Sequence, residues 1–265
     1  MRQKILFSFI VLVFSYQLSA QKTTPTIKNE VDVPAYELPQ LLTTLAGKKI
    51  NNPSDWERLR RPEIHSYFAN RVYGVVPGTL EFEGVEVLDV EPAALGGRAI
   101  RKQVNLNFKK GNKSVSMSLL IYLPAGKKKS PVFLAYNFKG NHSVNADPAI
   151  LINGKKESEL SGEELKKFKA SGRGGRTSRW AIDKMIDAGY GLVTIDYNNV
   201  DPDKNDFSDG IHTLFYQSGQ TAPAKNQWGS LSAWAWGLSR VIDFLETEAL
   251  VDHKKVILFG HSRLG

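Results

Sequence analysis

The sequence predicts an α/β fold: a mostly parallel sheet held between two helical layers as a three-layer sandwich. Three observations carry that expectation. Apolar and polar residues alternate with period two between Val85 and Leu123, as in antiparallel strands with one solvated face. Later, short continuous apolar runs appear at Pro131–Asn137, Tyr190–Asp196 and Val256–Phe259, the mark of strands covered on both faces. Helical patterns separate these runs, the order expected where crossovers join parallel strands.

Taken from the start, the first twenty residues fall outside that fold. Arg2 and Lys4 precede an apolar run from Ile5 to Phe14, and Leu18-Ser19-Ala20 forms a small-residue exit before Gln21. This is the pattern of a cleaved export signal, too short to span a bilayer comfortably. Cleavage after Ala20 is expected, with a secreted or periplasmic destination and no stable membrane insertion afterwards. Residues 21–50 read as an N-terminal leader, loosely packed over Gln21–Tyr36, and 51–265 as the N-terminal part of one large α/β domain.

The chain has 265 residues and no cysteine. Disulfides, thiol catalysis and cysteine-based zinc sites are therefore excluded, and stability must come from packing. Net charge is +8, two units of it from Arg2 and Lys4. A basic surface suits an acidic polysaccharide environment. Lys127-Lys128-Lys129 and the mixed charges of Lys155–Lys169 read as solvated faces, and no aromatic residues are interleaved with them as nucleic-acid binding would require.

Residues 53–68 are predicted helical: Asn51 or Asn52 can cap, Pro53 suits the first turn, and Trp56, Leu59, Ile64 and Phe68 share a face. Pro62 predicts a break or kink within it. A strand near Val85–Val90 comes next, then a run in which Val104, Leu106 and Phe108 alternate with Gln103, Asn105 and Asn107, and a third in which Val115, Met117, Leu119 and Ile121 face one way, with a Gly111-Asn112 hairpin turn signal between the last two. Residues 141–176 form a polar, glycine-rich insertion with one helix around Gly162–Lys169. Helices are expected at Arg179–Ala188 and Ser230–Glu248, the latter with Leu231, Trp234, Leu238, Val241, Ile242 and Leu245 on one stripe.

Other motifs carry less chemistry. Asp201-Pro202-Asp203-Lys204-Asn205-Asp206 opens like a calcium loop, but Asp206 stands where the turn glycine belongs and His212 where the bidentate glutamate belongs. A solvated turn is expected there, and neither a metal nor a cofactor is predicted anywhere. Gly172-Arg173-Gly174-Gly175-Arg176 could cradle an anion, yet no strand leads into it, so it reads as a flexible loop. Trp234 belongs to the core stripe. Trp228 and Trp236 stay open between sugar platform and core. Nothing in the pattern sets an oligomeric state.

The last six residues are the most informative. The buried strand Val256-Ile257-Leu258-Phe259 runs straight into Gly260-His261-Ser262-Arg263-Leu264-Gly265. A serine hydroxyl needs a base and a fixed presentation to act as nucleophile. A tight turn after a strand, with small flanking residues, gives that presentation in α/β-hydrolases. Ser262 is therefore the candidate nucleophile. Leu264 occupies the second-glycine position, so the motif is G-x-S-x-x-G. His261 adjoins Ser262 and points away on such a turn. The base in this fold comes downstream, whereas His65, His142, His212 and His253 all precede the serine.

Trp228-Gly229-Ser230-Leu231-Ser232-Ala233-Trp234-Ala235-Trp236-Gly237, Val251-Asp252, Lys255-Val256 and the elbow together resemble bacterial members of carbohydrate esterase family 15, the glucuronoyl esterases. Asn137-Phe138-Lys139-Gly140-Asn141-His142, Arg176-Thr177-Ser178-Arg179-Trp180 and Gly189-Tyr190-Gly191 also resemble that family, and the likeness runs from Trp56 to Gly265. Such sequences are often labelled acetylxylan esterases.

The resemblance implies an α/β-hydrolase with a Ser-His-acid triad. Its substrate would be the 4-O-methyl-glucuronoyl ester between xylan and a lignin alcohol, with acetylxylan or another acyl ester as the alternative. It implies that Ser262 is the nucleophile and that Arg263, beside the backbone N–H groups, supports the oxyanion; a fixed cation there stabilises charge that develops only in the transition state. The family's acid, histidine and sugar-contacting residues follow the elbow and have no counterparts before Gly265. The expectation from sequence is accordingly a fold with its C-terminal half missing, and the alternative of another class is an inactive relic or a carbohydrate-binding protein. Assayed on a glucuronate ester beside a full-length homologue, the 265-residue chain is expected to show no measurable turnover; a comparable rate would overturn this.

Overall fold

A computed structural model describes residues 26–265, and the expected export signal at residues 1–20 lies outside the described residues. Residues 26–42 are exposed, whereas residues 40–50 are tied to the first helical stretch: Arg60 donates to the carbonyls of Gln40 and Leu41, and the Leu45 N–H bonds the Glu63 carboxylate at 3.0 Å.

Residues 53–73 are helical throughout. Asn52 caps the start, its side-chain oxygen accepting from the Asp55 N–H at 2.9 Å, and Pro53 occupies the first turn, where its missing N–H costs nothing. The break expected at Pro62 is not a break. A π turn, Trp56–Arg60, leads into α1 (Arg61–Phe68), with Pro62 in the first turn of α1. Widening the turn ahead of the proline accommodates the N–H it lacks. A second π turn follows at Ala69–Tyr73.

The six-stranded sheet has the order β1-β2-β3-β5-β4-β6. β1 (Glu81–Ala93), β2 (Ala99–Lys110) and β3 (Lys113–Pro124) form an antiparallel meander, and β3 also pairs antiparallel with β5 (Gly191–Asp196). The β2–β3 hairpin turns at Gly111 with φ of +62°, as its glycine predicted. The parallel character resides in β5, β4 (Ser130–Asn137) and β6 (Val251–Leu258), with β4 between the other two.

Alternation along the central strands builds a core on each face. Leu119, Ile121, Val193 and Ile195 join Val104, Leu106 and Phe108 on one face, beneath α4 (Ser230–Thr247), which contributes Trp234, Val241, Phe244 and Leu245. Leu120, Tyr122 and Leu192 face the opposite way onto Ile182 and Ile186 of α3 (Ile182–Asp187). The three-layer arrangement follows.

Helix and sheet approach closely at Gly237. A side-chain carbon there would stand 2.4 Å from the Tyr136 hydroxyl and 2.8 Å from Val200, so α4 can settle onto β4 only because this position has none. The Tyr136 hydroxyl donates to the Trp234 carbonyl at 2.7 Å, satisfying the polar tip of an otherwise apolar contact.

The 141–176 insertion is packed rather than loose. It includes α2 (Gly162–Ser171), and Phe168 joins Ile152 and Leu160 in a small cluster of its own. Val144 and Ile150 reach into the second face of the main core. The insertion also covers the polar side of β2, which the alternation had suggested was solvated. Gln103 is buried there, donating to the Ala149 carbonyl at 2.9 Å and accepting from the Leu151 N–H at 2.7 Å. Arg101 is buried between Asp89 and Asp147.

β6 departs from expectation more sharply. It pairs only with β4, and Ile257, Leu258 and Phe259 are 37%, 56% and 40% exposed, so the apolar run lies at a sheet edge among the described residues.

His142 is buried within the insertion. Ser171 Oγ lies 2.7 Å from its Nε2 and donates its own proton to the Phe168 carbonyl at 3.0 Å, so Nε2 must be the donor. Nδ1 is then an unprotonated nitrogen with no partner among the described residues. Burial, with the nearby Arg173 charge second, lowers the imidazole pKa from 6.5 to about 4. The unfolded chain therefore takes up this proton first as pH falls. Stability is lost across the window from 6.5 to about 4, with no contribution above it. In urea titrations across that window, His142→Gln should flatten the pH slope by up to about 1.4 kcal/mol per pH unit. Identical slopes for variant and parent would exclude the effect.

Candidate active site

The chain leaves β6 by extending its pairing one step, the Phe259 N–H donating to the Leu134 carbonyl at 3.1 Å. His261 is still extended, with φ −135° and ψ 133°. At Ser262 the backbone flips to φ +58°, the left-handed region that a residue with a side chain enters at a cost of about 1–2 kcal/mol. A single 3₁₀ turn, Ser262–Leu264, then folds the chain back, with the Gly265 N–H bonded to the Ser262 carbonyl at 3.0 Å.

This reversal presses backbone on backbone. A side-chain carbon at Gly260 would lie 2.1 Å from the Leu264 carbonyl oxygen, and one at Gly265 would lie 3.3 Å from that of Ser262. The first glycine of the motif is thus fixed by crowding. The second glycine position tolerates Leu264 because its side chain turns back into the main core, where it is partly buried. Strand, sharp turn and strained serine together lift the Ser262 hydroxyl to an exposed site.

Ser262 opens onto a cleft of about 690 Å³. Phe138, Trp180, Tyr197 and Phe259 supply its aromatic walls, and Lys139, Arg176, Arg179, Arg263 and Asp203 its charges. Arg263 forms an ion pair with Asp203, whose carboxylate also lies 3.5 Å from the Tyr197 hydroxyl. Burial first, and the Asp203 charge second, keep that hydroxyl protonated beyond its ordinary range. The pair is half exposed, so it orients the Arg263 guanidinium without contributing much stability.

The acidic loop that opens like a calcium site has other employment. Asp201 turns inward, fully buried, with Oδ1 2.8 Å from His212 Nδ1, and the Trp234 indole N–H donates to its backbone carbonyl at 2.9 Å. Asp203 holds Arg263, while Asp206 and Asp209 both pair with Lys204. The expected solvated turn is therefore anchored at Asp201, two residues before the carboxylate that reaches the elbow. Among the described residues no group of three His, Asp or Glu side chains is placed to hold a metal ion.

The histidines occupy separate settings. His142 and His212 are buried with Ser171 and Asp201, His253 is exposed on β6, and His65 lines a different groove. His261 lines the Ser262 cleft but packs edge-on against Phe138 with 6.1 Å between ring centres. Trp228 is core, 1% exposed against His212 and Phe215, and Trp236 packs beside it. Neither faces the cleft. The tryptophan that does is Trp180, next to Arg179. Reading from sequence alone attached no role to Lys139 or Arg179; it weighed Arg176 in a possible anion cradle and Asp203 in a possible calcium loop, and read the two as a flexible loop and a solvated turn. The first three sit in segments that resembled the esterase family, which was the available signal.

A family model described as glucuronyl esterase, fungi, matches residues 176–265. A curated carbohydrate esterase from an unknown prokaryotic organism is 42% identical over 240 residues, covering 89% of this chain and 55% of that protein. A solved structure of a glucuronoyl esterase from Solibacter usitatus superimposes with a TM-score of 0.77 at 40% identity, over 89% of this chain and 60% of that one. A promiscuous CE15 esterase from a marine bacterial metagenome gives a TM-score of 0.72 at 40% identity, over 89% and 59%. The chain thus spans between half and two thirds of the length of these relatives.

The crowding at the elbow sets a steric test. Gly260→Ala places a methyl 2.1 Å from the Leu264 carbonyl oxygen, and should destabilise the fold by about 1–3 kcal/mol in urea unfolding. A variant as stable as the parent would mean the turn is looser than described.

Proposed function

We propose that the chain is a member of the glucuronoyl esterases of carbohydrate esterase family 15, to which its relatives point, and that it is the nucleophile-bearing part of a serine carboxylic ester hydrolase acting on plant cell-wall polysaccharide. The observation that carries this reading is Ser262, held at φ +58° where β6 ends and open to an aromatic, cationic cleft. In the proposed reaction Ser262 Oγ forms a bond to the ester carbonyl carbon as its proton passes to a base, and the carbonyl oxygen gains the negative charge. Arg263 lines the same cleft, and its cation lowers the energy of that oxyanion more than that of the neutral ester. Collapse of the intermediate expels the alcohol and leaves an acyl group on Ser262, which water then removes.

The substrate proposed is a 4-O-methyl-glucuronoyl ester linking xylan to a lignin alcohol. The cleft combines aromatic walls, which suit sugar rings and aryl alcohols, with cations that suit the uronate released. A second reading, acetylated xylan or another acyl ester, draws on the similarity to an esterase described as promiscuous. In a preparation that turns over esters, the uronate ester should outpace acetylxylan in kcat/KM, and Ser262→Ala should lower kcat by roughly four to six orders of magnitude. Faster acetyl release would favour the second reading, and retained activity in Ser262→Ala would remove this serine from the mechanism.

A further inference from the structure

The charges of the Ser262 cleft are unevenly matched: four cations and one carboxylate line it, and that carboxylate, Asp203, is engaged by Arg263. Several cations outside the cleft are matched. Arg98 holds Asp183 and Asp187, Arg101 holds Asp89 and Asp147, Lys155 holds Glu164, and Arg173 reaches Glu157. Among the described residues Lys139, Arg176 and Arg179 have no carboxylate within 4.0 Å.

Their backbone is fixed although their side chains are exposed. The Arg176 N–H bonds the Ser143 carbonyl at 2.8 Å, and the Arg179 N–H bonds the Arg176 carbonyl at 2.8 Å. A 3₁₀ turn, Thr177–Arg179, follows Arg176 directly, and at three residues per turn it brings positions 176 and 179 onto the same side. Lys139 enters from the turn after β4. Like charges converging on a concave wall repel one another, and a bound anion relieves that repulsion. Two guanidinium groups carried on one fixed turn can engage a carboxylate together, with a planar geometry that lysines lack.

The ester under attack at Ser262 is uncharged, so it does not supply that anion. Resting on the polysaccharide reading above, we infer that Lys139, Arg176 and Arg179 form an anion subsite that takes a free uronate carboxylate, carried by the substrate at a sugar other than the one being de-esterified. Such a rim would favour ester groups that lie beside unesterified uronates on the same polysaccharide.

The test is direct binding, which needs no turnover. The probes are a glucuronoxylan oligosaccharide with a free uronate, the same oligosaccharide with that carboxyl reduced to an alcohol, and glucuronate alone, measured calorimetrically at low and moderate salt. The full chain should bind the acidic oligosaccharide about tenfold more tightly than the reduced one, with the preference shrinking as salt rises. Arg176→Gln combined with Arg179→Gln should abolish the preference. Ser262→Ala, and Lys128→Gln on an exposed loop outside the cleft, should keep it. Equal binding of both oligosaccharides, or a preference that survives the double variant, overturns the subsite and leaves the polysaccharide reading standing. Failure to bind either oligosaccharide overturns both. Glucuronate binding as tightly as the acidic oligosaccharide would assign the anion to the product at Arg263 and also overturn the subsite.

Discussion

The contact on which the rest of the molecule depends is the one between β4 and α4. Tyr136 projects from β4 to bond the Trp234 carbonyl, and Gly237 one turn further along α4 leaves room for the tyrosine ring and Val200. β4 is the central strand of the parallel portion, with β5 on one side and β6 on the other. Fixing the helix on β4 therefore fixes the strand that leads to the elbow, and through the Leu134 carbonyl it fixes Phe259, three residues before Ser262. α4 reaches the cleft by a second route. The Trp234 indole holds the Asp201 backbone, and two residues on Asp203 meets Arg263. One helix thus sets both the serine and the charge beside it.

How much of this could be read beforehand depended on whether the determinant was local. The hairpin at Gly111, the strand before Ser262 and most of the core stripe of α4 are each written in a short stretch of sequence and form where their patterns placed them, although Leu231 of that stripe is exposed and Phe244, outside it, is buried. The elbow was legible because the requirement for a small residue at Gly260 comes from atoms four residues away. At Pro62 the sequence left the outcome open, because proline removes an N–H without dictating how the chain responds, and a widened turn was one response among several.

What was not legible involved partners distant in sequence. Gln103 and Arg101 alternate with apolar neighbours and look solvated until the insertion is laid over them. Asp201 looked like one acid among several in a polar loop, and nothing nearby revealed that it would be buried against His212. Lys139 and Arg176 belong to segments separated by the whole insertion, so their convergence on one cleft is a property of the fold. The exposure of Ile257 and Leu258 likewise depends on which strands flank β6, and an apolar run alone does not say.

The seam between the insertion and β2 bears on how such a protein could change over time. Arg101 and Gln103 have surrendered their water to Asp147, Ala149 and Leu151, and each would be left desolvated or unpaired if those partners were removed. The segment is thereby tied into the domain through the strand it covers. Lengthening its outer turns is open to drift, whereas excising it would require repairing the strand beneath in the same step. The wall of the cleft that carries Arg176 and Arg179 is in this sense inherited together with the sheet, and cannot be exchanged as an independent module.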